Sequence, residues 1–261
     1  MIDYSFTYSD LEYFLLVFTR ISCFIFAAPF FSTNNTPRTV RAGLSFFIAL
    51  VIFHAVTPHV MPEYNTVLGY AVLVLKEGIT GLLIGWGANI CNSIVLFAGK
   101  VADMEIGLSM VQLMDPLTKE ATGFTGALYQ YAVMLLLMVT DMHHYLLRAI
   151  VETYTLIPIG GAVFQPDKIV TALVRFLTDY VMIAFRICLP IVAAMMILNA
   201  VLGILAKTSP QINMFSVGIQ IKILVGLSVL FLTISVLPGA SEYIFKEMKI
   251  MITAMVESMT M

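Results

Sequence analysis

Apolar residues along this chain run in long unbroken blocks rather than short alternating ones. No Asp, Glu, Lys or Arg interrupts residues 21–37, 42–62, 78–99, 121–140, 187–206 or 223–241. Most of these blocks approach the roughly 20 residues that cross a bilayer as helix. Spans of a β-barrel would instead be about 10 residues long with alternating polarity, and that pattern is missing. The blocks predict a first helix over about 9–31, with Ser9 and Asp10 as N-cap candidates and Arg20 in its middle. Pro29, Asn34, Asn35 and Pro37 read as a stop and a loop. A second segment follows Arg38 and Arg41 and closes at Pro58 and Pro62, and a third starts near Val67. From Lys100 to Glu120 the texture changes, as Lys100, Asp103, Glu105, Asp115, Lys119 and Glu120 punctuate short apolar pieces. Another apolar segment, 121–140, gives way to a polar patch at 143–148. Pro158, Gly160 and Gly161 form a joint, and Pro166-Asp167 opens a long segment interrupted by Pro190. Ser209-Pro210 makes a turn, and a further helix runs over about 215–237. After Pro238-Gly239 the tail is amphipathic. Ile244, Met248, Met251, Ile252, Met255 and Met259 make one stripe at three-and-four spacing, expected to pack on this protein or on a partner subunit.

Composition sharpens this picture. The 261 residues are 60% hydrophobic and 11% charged, against about 25% charged in a soluble domain. The expected fold class is therefore an all-α integral membrane protein of long helices and helical hairpins. The net charge of −2 is spread thinly, with no basic stripe for nucleic acid. Residues 1–12 hold Asp3, Asp10 and Glu12 and no base, unlike a cleavable signal peptide, so the first apolar segment is expected to stay. Arg38 and Arg41 favour a cytoplasmic first loop and the acidic start favours the outside. Cys23, Cys91 and Cys188 lie far apart in apolar runs and read as apolar thiols without a redox or metal motif.

Charges inside apolar segments narrow the possibilities further. Arg20, Lys76, Glu77, Asp103, Glu105, Asp179, Arg186 and Lys222 lie within or beside such segments. A charge facing hydrocarbon costs about 2.5–3.5 kcal/mol on insertion scales, so these side chains are expected to face protein or water. They read either as inter-helix salt bridges that fix assembly or as an ion pathway. Gly81 and Gly85 form a GxxxG whose face continues through Asn89, Asn92 and Ser93, a helix-packing pattern. Methionine occurs 17 times, as flexible filler or as a deformable seal. Catalytic signatures fail one by one. There is no HExxH, no GxSxG and no Walker A sequence. His143 and His144 are adjacent, so on a helix they point about 100° apart, poor for one metal. No cofactor and no enzymatic activity are expected; a small-solute or ion carrier is the alternative to a structural role.

Several stretches together resemble the FliR family of the flagellar type III export gate. LGILAKTSPQINMFSVGIQIK, 202–222, carries the family's C-terminal PQ-x-N-x-F pattern with Gly218 and Lys222 behind it. AGKVADMEIGLSMVQLMDP, 98–116, places Gly99, Asp103, Gly107, Asp115 and Pro116 at similar spacing, and Arg20, Pro29, Pro37, Arg41, Lys76-Glu77, Gly81 and Gly85 fit as well. Virulence-type injectisomes contain a related protein, and the intact PQINMF favours the flagellar branch. The resemblance implies a FliP-like part, 1–165, followed by a FliQ-like helical hairpin, 166–261. It implies a bacterial inner-membrane protein of the flagellar basal body that assembles with FliP and FliQ. The complex would be a conical pore, largely raised above the bilayer plane and still in contact with lipid. Unfolded flagellar proteins would leave through it, with FlhB and FlhA as neighbours. Arg20, Gly81, Gly85, Arg186, Asn199, Gln211, Asn213 and Lys222 are the expected subunit-packing residues. The segment 105–122 is the expected pore plug, with Met110, Leu113, Met114, Asp115 and Pro116 at its centre. It is too short and punctuated for a span, and the residue before a proline avoids the helical region.

Overall fold

A computed structural model of the chain describes residues 7–32, 36–55, 61–64, 66–110, 113–114, 121–209, 211 and 214–260. Eight α-helices account for most of them: α1 (Tyr8–Ala27), α2 (Arg38–Ala55), α3 (Val67–Ile106), α4 (Phe124–Val139), α5 (Met142–Leu156), α6 (Pro166–Thr208), α7 (Met214–Thr233) and α8 (Leu237–Glu257). Two-residue strands β1 (Leu113–Met114) and β2 (Ala121–Thr122) pair antiparallel between α3 and α4. The protein is an all-α integral membrane protein. By length and apolarity α2, α3, α6 and the stretch Val217–Glu257 can each cross a bilayer, and α4 with α5, bent by 66° at their junction, would make a fifth span.

Local chemistry sets the helix ends. The N-cap of α1 is Thr7, two residues before the expected Ser9, and Asp10 reaches back to accept the Thr7 N–H at 2.9 Å, as in a capping box. Its end at Ala27 leaves Ala28 extended just before Pro29, the backbone that a following proline favours. Pro166 opens α6 with Asp167 in its first turn, where a missing N–H costs nothing and a carboxylate meets the positive helix end. Two elements differ from the sequence expectation. Helix α3 runs on through Lys100 and Asp103 to Ile106, because only Gly107, at φ +90°, breaks it. The polar patch 143–148, to which the sequence pattern assigns no element, lies in the opening turns of α5, whose Met142, Leu146, Ile150, Thr153 and Tyr154 are all buried.

The chain divides into two compact units, each assembled from separate segments. One holds residues 1–90, 141–176 and 247–261. In it α1 packs on α2 through aromatic edges, with Phe14 5.5 Å from Phe46 and 5.9 Å from Phe53 between ring centres. Its C-terminal segment is stitched to the joint ahead of α6. Val163 N–H donates to Met259 O and Gln165 N–H to Ser258 O, both at 2.9 Å. Along α8 and the residue stripe beyond it, Ile244, Met248, Met251, Ile252, Met255 and Met259 are each no more than 4% exposed. The stripe is thus buried by its own chain, and Met251 and Met255 lie over Gly87. The other unit holds residues 91–140 and 177–246. Its core includes Val95, Ala98, Ala102, Tyr129, Val133, Ile187, Ile191 and Met195. All three cysteines are free, with Cys91 and Cys188 buried.

Candidate functional site

The segment between α3 and α4 is held at its base by three successive devices. The deepest is a backbone contact: Gly99 lies so close to Gly126 that any Cβ on Gly99 would overlap the Gly126 Cα. One turn further along α3, Asp103 is 2% exposed and its carboxylate accepts the backbone N–H of Thr125 at 3.0 Å (Oδ1) and 3.2 Å (Oδ2). That N–H belongs to the first turn of α4, where backbone donors have no partner within the helix. An acidic side chain from a neighbouring helix therefore does the work of a cap and also meets the positive end of the helix dipole. Gly123, the N-cap of α4, sits against that carboxylate where a Cβ has no room. Beyond this clasp Gly107 turns the chain away, Leu108–Met110 form one 3-10 turn, and β1 meets β2 with Leu113 opposite Thr122 and Met114 opposite Ala121. The excursion thus starts at Gly107 and not at Glu105, which is still helical. Of the residues expected at the plug, Met110 lies in the 3-10 turn and Leu113 and Met114 form β1. Asp115 and Pro116 fall outside the described residues.

A second polar construction lies in the other unit. Arg20 and Glu77 are both fully buried. The Arg20 Nε donates to Glu77 Oε2 at 2.5 Å and a terminal nitrogen donates to Oε1 at 3.0 Å. Its remaining amino group donates to the carbonyls of Ile157 at 3.0 Å and Thr153 at 3.4 Å, while Glu77 Oε1 also accepts Gly160 N–H at 2.9 Å. The guanidinium stands 4.3 Å from the Tyr154 ring centre, and the Tyr154 hydroxyl donates to Val17 O at 3.1 Å. One bidentate pair thereby ties α1, α3, α5 and the turn after α5. Close approach of α1 and α3 is made possible by Gly81, where a Cβ would fall on the Arg20 carbonyl, and by Gly85, where it would come within 2.7 Å of Phe24 O.

Other residues expected to pack subunits occupy different surroundings. Arg186 is exposed in the middle of α6 beside an apolar hollow of about 140 Å³ lined by Ile183, Ile187, Val236, Gly239, Ala240 and Tyr243. Asn199 and Gln211 are exposed and Lys222 is half-buried. Asn213 lies outside the described residues. Long apolar rows accompany them, with Val174, Leu177, Val181, Phe185, Leu189, Met196 and Ile197 of α6 and Leu224, Phe231 and Leu232 of α7 all uncovered within the chain. The sequence marked Arg20 and Glu77 as charges to be paired without matching one to the other, and it did not bring Gly99 to Gly126. Their signals were a glycine without a turn and charges without a neighbour. His143 and His144 also depart from expectation: their ring centres are 4.0 Å apart, because side-chain torsions close the gap that helical Cβ directions open.

Comparison with known proteins follows the same residues. The family model described as bacterial export proteins, family 1, matches residues 11–248. The chain is 31% identical over 226 residues to the flagellar biosynthetic protein FliR of Bacillus subtilis, covering 86% of each chain. It is 26% identical to the FliR protein of Caulobacter vibrioides, covering 84% of this chain and 87% of that one. With the FliR protein of Escherichia coli it shares 23% identity, over 87% of this chain and 86% of the other.

Proposed function

The chain belongs to the FliR family of bacterial export proteins, and from that premise we propose that it is a pore-forming core subunit of the flagellar type III export gate. It would sit in the bacterial inner membrane within the flagellar basal body, joined to FliP and FliQ and next to FlhB and FlhA. Unfolded flagellar proteins would pass through the assembly, so the role is structural rather than enzymatic. Residues 1–165 form the FliP-like part and 166–261 the FliQ-like part. That boundary coincides with the start of α6 at Pro166. Support comes from helix length as well. At 1.5 Å per residue, the 40 residues of α3 and the 43 of α6 each span about 60 Å, roughly twice the hydrocarbon thickness. Such helices suit an assembly that rises out of the bilayer. Their uncovered apolar rows suit lipid or neighbouring subunits.

The observation that carries the reading is the clasped excursion after α3. An irregular apolar segment at membrane depth is tolerated where it is buried in protein or lines a water-filled cavity. Here the two helices at its base are locked by Gly99–Gly126 and by Asp103, which gives the excursion a fixed base. In the proposed gate this segment is the plug, with Met110, Leu113 and Met114 forming an apolar seal. Such a constriction stops ions by dewetting, and methionine can reshape around a passing polypeptide. Deleting 107–116 while co-producing FliP and FliQ tests it. The gate should assemble at normal yield and membranes should leak ions. An assembled deletion variant without added leak, in single-channel recordings as well as in cells, overturns the plug.

A further inference from the structure

The junction of α4 and α5 carries a group of side chains that the proposed export role does not use. Asp141 precedes α5 in the left-handed conformation, φ 58°, one of the few residue types that tolerate it. Its carboxylate Oδ1 is 3.1 Å from His144 Nδ1, and the two side chains are 75% and 68% exposed. The His143 ring stands 4.0 Å from that of His144, and its Nδ1 is buried with no hydrogen-bond partner among the described residues. One ligand atom from each of the three lies within 4.8 Å of the others.

We propose that Asp141, His143 and His144 form a binding site for a divalent transition-metal ion of the zinc class. Bonds of about 2.0–2.2 Å to nitrogen and oxygen, at angles between a right angle and the tetrahedral value, place neighbouring donor atoms about 3.0–3.4 Å apart. The Asp141–His144 separation already has that value. The third donor, from His143, lies within 4.8 Å of the other two, and the Nδ1 of that ring has no hydrogen bond among the described residues that a metal would have to displace. Two imidazoles with one carboxylate select zinc, nickel or copper over magnesium or calcium, which take oxygen ligands. A cation is disfavoured at the first turn of a helix by about 0.3–1 kcal/mol. Neutralisation by Asp141 and direct ligand bonds outweigh that term. The three protein ligands leave a further position for water, and the ion would fix Asp141 to the first turn of α5.

The test uses the untagged full-length protein in detergent, titrated with Zn²⁺ against a chromophoric chelator. One ion per chain should bind. Loss of even an outer-shell partner of a metal typically costs 10–100-fold in affinity, so His144→Gln and Asp141→Asn should each weaken binding by at least about tenfold. Replacing the remaining histidines, in the double variant His54→Gln and His59→Gln, should change nothing. Because a variant at the bend can misfold, the unaltered protein is also loaded with one equivalent of Cu²⁺ and its electron paramagnetic resonance recorded. Nitrogen couplings from two imidazoles are expected. Absence of stoichiometric Zn²⁺ binding, binding that survives in the Asp141 and His144 variants, or a Cu²⁺ spectrum without two nitrogen couplings overturns the site. These readouts do not involve export, so they stand or fall apart from the role in the gate.

Discussion

Arg20 is fully buried, and each of its side-chain nitrogens donates to Glu77 or to a carbonyl. A pair of this kind adds little net stability over a well-packed apolar pair, yet removing one partner strands the other at a cost of about 3–5 kcal/mol. Arg20→Ala and Glu77→Ala should therefore each lower the thermal unfolding midpoint of the detergent-solubilised protein substantially. The double variant Arg20→Met, Glu77→Leu should recover much of the loss; equal damage in single and double variants would show that packing, not charge, matters. Tyr64 gives a milder residue-scale prediction outside the spans. Its hydroxyl bonds to the Glu12 carboxylate, which pushes its pKa up to about 12. The bond favours the protonated phenol of the folded state, so what it contributes is present below pH 10 and lost as pH rises towards 12. Absorbance titration should show one late phenol that Tyr64→Phe removes and Glu12→Gln shifts towards the ordinary value of about 10.

For the elements, the α3–α4 clasp makes the sharpest prediction. Hydrogen bonds to a charged group contribute about 1.5–3 kcal/mol. Asp103→Ala should speed hydrogen exchange at the Thr125 and Gly126 amides and open 107–123 to protease, while exchange in the middle of α4 stays slow. Uniform acceleration along α4 would mean that the carboxylate holds the whole helix and not its first turn. Elements were legible to different degrees for physical reasons. The long charge-free blocks announced α2, α3, α4 and α6 because lipid-facing surface needs no polar side chains. Helix α5 was hidden, since Asp141, His143, His144 and Arg148 dominate its opening. Its buried positions Met142, Leu146, Ile150 and Thr153 do carry a helical period, read backwards from the structure. Asp103 was visible as a charge beside an apolar run, but its task was not. Capping α4 depends on a contact between residues 22 apart in the chain, and one sequence alone does not pair them. Arg20 and Glu77, 57 apart, were hidden for the same reason.

At the scale of the molecule, surface left uncovered by the chain itself calls for company. Arg186 beside its apolar hollow is costly in lipid, and the rows on α6 and α7 run the length of both helices. If partner subunits supply a carboxylate there, Arg186→Ala should reduce the amount of FliP and FliQ recovered with this chain, while the chain alone keeps its own unfolding midpoint. Full recovery would assign the arginine to lipid headgroups or water instead. If the amides of Gln211 and Asn213 bond to neighbouring subunits, Gln211→Leu together with Asn213→Leu should lower recovery in the same assay, because the polar groups facing them are left without partners in the contact.

The stitching of residues 163 and 165 to residues 258 and 259 also orders events in time. Translation delivers the acceptor carbonyls of this junction about 95 positions after its donors, so the joint ahead of α6 cannot close until residues 258 and 259 have been made. Until then the amides of Val163 and Gln165 remain open, and α8 has not yet covered Gly87. Contacts between residues so far apart in the chain form later than the local contacts of a helix. A nascent chain stalled before Ser258 would therefore hold complete helices and an unlatched first unit. The closed junction therefore distinguishes a chain with residues 258 and 259 in place from any shorter one.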